Sequence, residues 1–224
     1  MRRARGGRLL ALLGGLLALT VASVSGSAAA MELVIRTADD GVPMLIARGP
    51  IVAGDALRFQ LALRDVGRDG FGDKRVALAS EGGLVGEAFA MADHMDQEKV
   101  STFVLPGTTC SSACASILFV AGRHRSVFER GRLGLHSCAV SASRERSPLC
   151  NELIARRAER RGVPYAPMLA LLQTADPRSM KWLRPEEADC WGLTRRPPNA
   201  PRTPATTKDP SCPAKGLQTV GFSR

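Results

Sequence analysis

The pattern of hydrophobic and polar positions changes repeatedly along this chain from a strand period to a helix period. Residues 75–80 form an apolar run that stops at the glycine pair Gly82-Gly83. After the glycines, apolar positions recur at helical spacing, at Leu84, Ala88, Met91, Ala92 and Met95. This order predicts a strand, a tight turn and a helix.

The same order repeats downstream. Residues 100–105 form a β-type run, 106–109 form a turn, and 111–121 form a helix of small and then apolar residues. Short strands are predicted at 127–128 and 133–136.

Further helices are predicted at 55–66, 151–161, 163–174 and 185–191, and a strand at 44–47. Alternating strands and helices predict an α/β fold with a largely parallel sheet. Such sheets place their sites at the carboxyl ends of strands, and two turns qualify: Gly82-Gly83 and the region of Cys110 and Cys114.

The first thirty residues have the organisation of a secretory signal. Arginines precede an apolar segment at 9–24, and small residues end in Ala28-Ala29-Ala30. The alternative is a transmembrane anchor, but the apolar segment is shorter than the roughly 20 residues that a spanning helix needs. We expect a signal peptide at 1–30, removed near Ala30, with no stable membrane span afterwards. A single domain at 31–194 and a proline-rich, extended or disordered tail at 195–224 would follow.

The net positive charge does not by itself identify a partner. Loss of Arg2, Arg3, Arg5 and Arg8 with the signal lowers the formal charge from +10 to about +6. The remaining basic residues are mostly scattered and aromatic residues make up only 4% of the chain, so the sequence offers no stacking platform for nucleic acid. The charge is interpreted as favouring solubility and attraction to anionic components of a cell envelope.

All six cysteines follow the predicted signal, at Cys110, Cys114, Cys138, Cys150, Cys190 and Cys212. An even number in an exported chain predicts disulfide bonds. Fifteen complete pairings are possible, and closure of short loops favours 138 with 150 and 190 with 212, which leaves 110 with 114. A metal site is the weaker interpretation, because no second Cys/His pair follows at zinc-finger spacing. We expect neither a metal nor a cofactor.

Ser112 is the candidate nucleophile, because it lies where a strand and turn lead into a helix. Backbone N–H groups at a helix start are unpaired and attract negative charge. The N–H of Ala113 is one candidate donor to an oxyanion, and the N–H of Gly83 on the neighbouring turn is the other. The alternative for Ser112 is a helix-capping role.

His136 is the candidate base, because it ends an apolar strand and imidazole suits proton transfer near neutral pH. His94 and His124 are predicted to lie on the surface. The alternative for His136 is a buried histidine with a structural role.

These residues also carry a resemblance to a known family. Gly49-Pro50-Ile51 followed by VALASEGGLVGEAFAMADHM (76–95), CSSACASILFVAG (110–122), GRLGLHS (131–137) and WLRPEEADCWGL (182–193) are similar to successive segments of the proteolytic subunit of Clp protease. The order and spacing of the segments carry the resemblance, which runs from about residue 42 to 193. Within the Clp-protease/crotonase superfamily, the chain most resembles an exported bacterial group with a C-x-S-A-C motif.

The resemblance implies a spiral of ββα repeats and a serine hydrolase site. It implies Ser112 as nucleophile, with Ser111 as the second candidate because of its spacing of 25 residues to His136. His136 would be the base, and the N–H groups of Gly83 and Ala113 would bind the oxyanion. Ser116, one helical turn onward, is expected to pack. Glu81 stands where the proteases usually carry proline.

The resemblance places the third catalytic residue at Met180, which is not an acid. Asp176 lies four residues earlier and is the weak candidate to orient His136, while Ser179 is adjacent. The alternative for Asp176 is a turn residue before Pro177. A water or a backbone carbonyl in the third role would also leave a working, slower pair.

The sequence therefore supports an exported, periplasmic or secreted serine hydrolase, expected to be a peptidase acting on a peptide or protein. The alternative is a catalytically inactive binding protein of the cell envelope with the same fold. Acyl-coenzyme A chemistry, found in the crotonase branch, is disfavoured because coenzyme A is scarce outside the cytoplasm. The resemblance also implies a homo-oligomer, and export argues against an ATPase partner.

Overall fold

The computed structural model describes residues 29–140, 143 and 145–197. Nearly all of the predicted signal peptide and of the predicted tail lies outside these residues, and so does Cys212. Within the described part, no helix is both long and apolar enough to cross a membrane.

The main sheet contains five strands in the order β1-β2-β3-β4-β6. β1 pairs antiparallel with β2, and the other neighbours are parallel. The strands are β1 (Glu32–Thr37), β2 (Pro43–Arg48), β3 (Lys74–Ala79), β4 (Val100–Val104) and β6 (Arg125–Val127). The predicted α/β fold with a mostly parallel sheet is confirmed.

A second, three-stranded sheet has the order β5-β7-β8. β5 (Thr109–Ser111) and β7 (Arg132–Leu135) are parallel, and β8 (Lys181–Leu183) is antiparallel to β7. Parallel pairing matters for function, because it brings the carboxyl ends of β5 and β7 to one edge.

Leu45 of β2 and Val76 of β3 are paired on one face of the main sheet and fully buried. They belong to the same hydrophobic core as Phe59 of α1 (Asp55–Arg64) and Met91 of α2 (Val85–Glu98). Alternation of side chains along a strand places every second residue on this face. The remaining helices are a buried π-helix (Cys114–Phe119), α3 (Pro148–Arg160), α4 (Tyr165–Thr174) and α5 (Pro185–Cys190).

The structure differs from the sequence predictions mainly at element ends. β1 was not predicted, because its polar ends interrupt the apolar pattern. The predicted helix at 111–121 loses its start, because Ser111 still belongs to β5. α3 begins three residues earlier than predicted, since Ser147 Oγ accepts a hydrogen bond from Cys150 N and Pro148 is favourable in a first turn.

Candidate active site

Ser112 and His136 meet because two parallel strands end side by side. β5 and β7 pair with Ser111 opposite Gly134, and the next residue after each strand is the serine or the histidine. The two side chains touch at this edge: Ser112 Oγ lies 2.7 Å from His136 Nε2.

The backbone of Ser112 adopts an uncommon conformation. Its φ of 57° lies in the left-handed region, where non-glycine residues are rare. The conformation costs about 1–3 kcal/mol and persists only where the surrounding structure holds it. Ser112 N donates to Gly134 O over 2.8 Å, and Ser112 O accepts from Ser116 N over 2.9 Å. The Cys110–Cys114 disulfide closes the short loop, with Cα atoms 5.3 Å apart. The strained turn is therefore held from several sides.

The second nitrogen of His136 fixes the protonation pattern of the ring. His136 Nδ1 lies 2.8 Å from Ser137 O. A carbonyl oxygen can only accept, so Nδ1 carries the proton. In a neutral imidazole, Nε2 then presents its lone pair to the hydroxyl of Ser112. This is the tautomer that a general base requires.

The glycine pair predicted to face Ser112 does so, and both positions need glycine. Gly82 has φ 90°, and a Cβ there would lie 2.7 Å from Ser112 Cβ and 2.8 Å from Ala113 N. Gly83 has φ 149°, and a Cβ there would lie 2.1 Å from Ile51 O. Only a residue without a side chain permits this close approach of the two turns.

Ser80 holds the glycine turn in place. Its Oγ accepts from Gly82 N over 3.0 Å, and its carbonyl accepts from Ser111 N over 2.9 Å. Glu81 itself is exposed. The turn is thus joined directly to the strand that leads to Ser112.

Two backbone donors are left over beside the serine. Ile51 N donates to Gly82 O and Leu84 N donates to Ile51 O, but Gly83 N has no acceptor among the described residues. Ala113 N precedes the π-helix, where the first N–H groups lack partners within the helix. Gly83 and Ala113 line the same cleft as Ser112.

The cleft has a volume of about 670 Å³ and an apolar wall. Leu84 and Val140 are about half exposed in it, and the Cys138–Cys150 disulfide forms part of the opposite side. The lining residues are Gly83, Leu84, Val85, Gly86, Glu87, Ser112, Ala113, Ser116, His136, Cys138, Ala139, Val140, Ser147, Cys150 and Ile154.

The other two serines occupy different positions. Ser111 is buried with its Cβ against Gly134, and it has no hydrogen bond to His136. Ser116 Oγ donates to Ser112 O over 2.9 Å, so it supports the turn. The geometry thus distinguishes Ser112 from the second candidate, Ser111.

The weak candidate Asp176 does not reach His136. It is exposed, and its Oδ1 accepts from Arg178 N over 2.7 Å, as expected of a turn residue. Met180 packs beside Gly134, and a thioether is only a weak acceptor. The acceptor for His136 Nδ1 is the backbone carbonyl of Ser137.

Two of the predicted disulfides are present, Cys110–Cys114 and Cys138–Cys150. Cys190 is also disulfide-bonded, and its predicted partner, Cys212, lies outside the described residues. Among the described residues, no group of three or more histidine, cysteine or acidic side chains is placed to hold a metal ion.

Sequence reasoning missed two sets of buried polar residues. His124 was predicted to lie on the surface, but its side chain is only 12% exposed and its Nδ1 lies 2.9 Å from Asp73 Oδ2. His94 is half-buried. Asn151 is fully buried and bonds the residues that follow His136. The signal that could have identified Asn151 is its polar side chain at the start of the helix predicted at 151–161.

The chain matches no model of a known protein family and no curated protein sequence.

Proposed function

We propose that this chain is an exported serine hydrolase, a peptidase of the Clp-protease/crotonase type, that acts with a serine–histidine pair. The observation that carries the proposal is the 2.7 Å contact from Ser112 Oγ to His136 Nε2, made by a histidine whose other nitrogen is tied to a carbonyl. The order of strand, glycine turn and helix around the site supports the ββα-repeat spiral that the sequence resemblance implies.

The reaction follows from these contacts. Ser112 Oγ attacks the substrate carbonyl carbon while its proton passes to His136 Nε2. The carbonyl oxygen becomes an oxyanion, which the N–H groups of Gly83 and Ala113 bind. The tetrahedral intermediate collapses, and the leaving amine takes the proton from His136. Water, deprotonated by the same imidazole, then releases the acyl group from Ser112 and restores the serine.

The group that orients His136 is the neutral carbonyl of Ser137 and not a carboxylate, and this lowers the rate that we expect. It orients the imidazole, but it stabilises the imidazolium less than a carboxylate does. The same observation favours one alternative, a protein that uses the cleft to bind a peptide and no longer hydrolyses it.

Two disulfide bonds in a small domain fit a location outside the reducing cytoplasm. Together with the signal sequence predicted at 1–30, they support export to the periplasm or beyond. A homo-oligomer belongs to the same proposal, since the resembled proteases assemble.

A fluorophosphonate probe tests the proposal directly, because it reacts only with an activated serine. We expect the full chain, exported and oxidised, to gain one adduct on Ser112. Ser112→Ala should abolish labelling, and His136→Gln should slow it by on the order of 100-fold or more. Ser111→Ala is the matched control and should retain it.

Absence of labelling in a folded, oxidised wild type would favour the binding protein. Labelling that persists in Ser112→Ala and disappears in Ser111→Ala would identify Ser111 as the nucleophile.

A further inference from the structure

Asn151 makes two hydrogen bonds to the segment that follows the histidine. It lies in the first turn of α3 and is fully buried. Its Oδ1 accepts from Cys138 N over 2.8 Å, and its Nδ2 donates to Ser137 Oγ over 2.8 Å. A buried amide that is bonded at both ends has a fixed orientation.

The first of these bonds reaches the peptide group that orients His136. The carbonyl of Ser137 and the N–H of Cys138 belong to one peptide unit. Its oxygen accepts from His136 Nδ1, and its N–H donates to Asn151 Oδ1. The peptide is trans, so its two ends point in opposite directions and form one chain of hydrogen bonds from the imidazole to Asn151.

Such a chain strengthens each of its members. An acceptor on the N–H of a peptide draws electron density toward its carbonyl oxygen, which then accepts more strongly. The end of the chain is a neutral amide rather than a carboxylate. It therefore supplies orientation and polarisation without a full negative charge.

The Cys138–Cys150 disulfide restrains the same two segments. Each cysteine is adjacent in sequence to a residue of the hydrogen-bonded chain, Cys138 to Ser137 and Cys150 to Asn151. The peptide is thus held to α3 by one covalent link and two hydrogen bonds, which restricts its rotation.

We propose that Asn151 is a positioning residue that acts through the Ser137–Cys138 peptide to hold His136 in the tautomer with a proton on Nδ1. The part of this inference that concerns rate rests on the proposed function. The part that concerns the tautomer does not.

Nitrogen-15 NMR of the imidazole rings tests the tautomer without any activity. The chain has three histidines, at 94, 124 and 136, and the signals of His136 are identified as those missing from the spectrum of His136→Gln. In the wild type we expect His136 to be a single tautomer with Nδ1 protonated. In Asn151→Ala we expect a mixture, because the carbonyl is no longer fixed. Asn151→Leu, which keeps the space filled, replaces Asn151→Ala if that variant does not fold.

The rate of fluorophosphonate labelling gives the second measurement. We expect Asn151→Ala to lose about 100-fold, the scale of a small misplacement of a catalytic group. Asn151→Asp should keep the tautomer and recover most of the rate, since a carboxylate oxygen can still accept from Cys138 N. Thr102→Val is the control for the loss of a buried side-chain hydrogen bond away from His136, because Thr102 is as buried as Asn151 and its hydroxyl donates to Phe119 O.

The inference is overturned if the His136 tautomer is the same in wild type and Asn151→Ala, or if Thr102→Val changes it equally. If the wild type is not labelled at all but the tautomer depends on Asn151, the proposed function fails and the positioning role stands.

Discussion

His136 and His124 differ in the groups that are hydrogen-bonded to their ring nitrogens. His136 has a serine on Nε2 and a backbone carbonyl on Nδ1. His124 has a carboxylate on Nδ1, from Asp73 at 2.9 Å. The serine of that second cluster, Ser101, donates to the same carboxylate oxygen over 2.7 Å. Among the described residues, no hydroxyl is bonded to His124 Nε2.

The difference shows that a set of residue types is not a catalytic site. The cluster around His124 contains serine, histidine and aspartate, but Ser101 Oγ and Asp73 Oδ2 lie against the same ring nitrogen, His124 Nδ1, at 3.3 and 2.9 Å. Asp73 is fully buried, and Arg123 Nη1 also bonds it over 2.8 Å, so the cluster satisfies a buried charge. His136 instead faces an open cleft with a strained serine turn and two backbone donors that have no acceptor within the described part of the chain.

The largest effect should come from removing each imidazole in turn. His136→Gln should slow probe labelling by on the order of 10²- to 10⁴-fold, because a general base contributes that much. His124→Gln should leave the labelling rate close to that of the wild type and lower stability instead. Labelling rates, with urea unfolding of each variant, check both outcomes. Equal loss of labelling in the two variants would contradict the assignment of His136, rather than His124, as the base.

Two disulfide bonds adjoin the His136 site, Cys110–Cys114 and Cys138–Cys150, and their removal gives the next effect in size. The Cys138–Cys150 disulfide closes a loop with a sequence separation of 12 and so restricts the unfolded chain. Its removal should lower the free energy of unfolding by about 3 kcal/mol. The pair Cys138→Ser and Cys150→Ser should also slow labelling, because the Ser137–Cys138 peptide loses its covalent restraint.

The matched control is the pair Cys110→Ser and Cys114→Ser, measured by the same urea unfolding and labelling. Its separation is only 4 residues, so we expect a stability loss of about 2 kcal/mol and a stronger effect on labelling, through the turn at Ser112. NMR signals of His124 should not change in either double variant. A change there would show that the two regions are not independent.

Local patterns in the sequence were sufficient to predict much of the site. The apolar run before Gly82-Gly83 and the helical spacing after it predicted β3, the turn and α2, because both periods are read over neighbouring residues. The pair Cys138–Cys150 followed from short loop closure, and Cys110–Cys114 was the pairing that remained. Ser112 followed from its place between a strand and a helix.

The third partner of His136 was not predictable in the same way. Every residue has a backbone carbonyl, so nothing in the sequence marks Ser137 O as an acceptor. The weak candidate Asp176 was chosen by residue type, and the fold uses it in a turn instead. His124 was predicted to lie on the surface because arginines flank it, while its buried partner Asp73 lies 51 residues away.

Asp73 gives the third prediction, confined to stability. Asp73→Asn removes the charge that Arg123 and His124 share, and we expect a loss of about 2 kcal/mol in the free energy of unfolding, the scale of hydrogen bonds to a charged group. Labelling of Ser112 under native conditions should be retained. Urea unfolding measures the first and the probe the second. A variant that folds well but no longer labels would connect the cluster to the cleft.

The smallest effect is the pH dependence of the unfolding free energy that comes from Glu98, which forms an ion pair with Lys74. A hydrogen bond from Lys74, the neighbour of Asp73, holds the pKa of Glu98 below its usual 4.5, although burial opposes this. A carboxylate with a lowered pKa in the fold stabilises it above about pH 4.5, and the contribution is lost as the pH falls through the folded value. Glu98→Gln should therefore cost at most about 1 kcal/mol at pH 7, since the pair is partly exposed.

The difference in unfolding free energy between wild type and Glu98→Gln should shrink as the pH is lowered to about 3. Glu186→Gln on α5 is the control, because that carboxylate is exposed and forms no ion pair among the described residues. A difference that persists at low pH, or that Glu186→Gln reproduces, would contradict the ion pair as its cause. If it holds, acid weakens the neighbourhood of His124 through a carboxylate, whereas the His136 site depends on neutral peptide and amide groups.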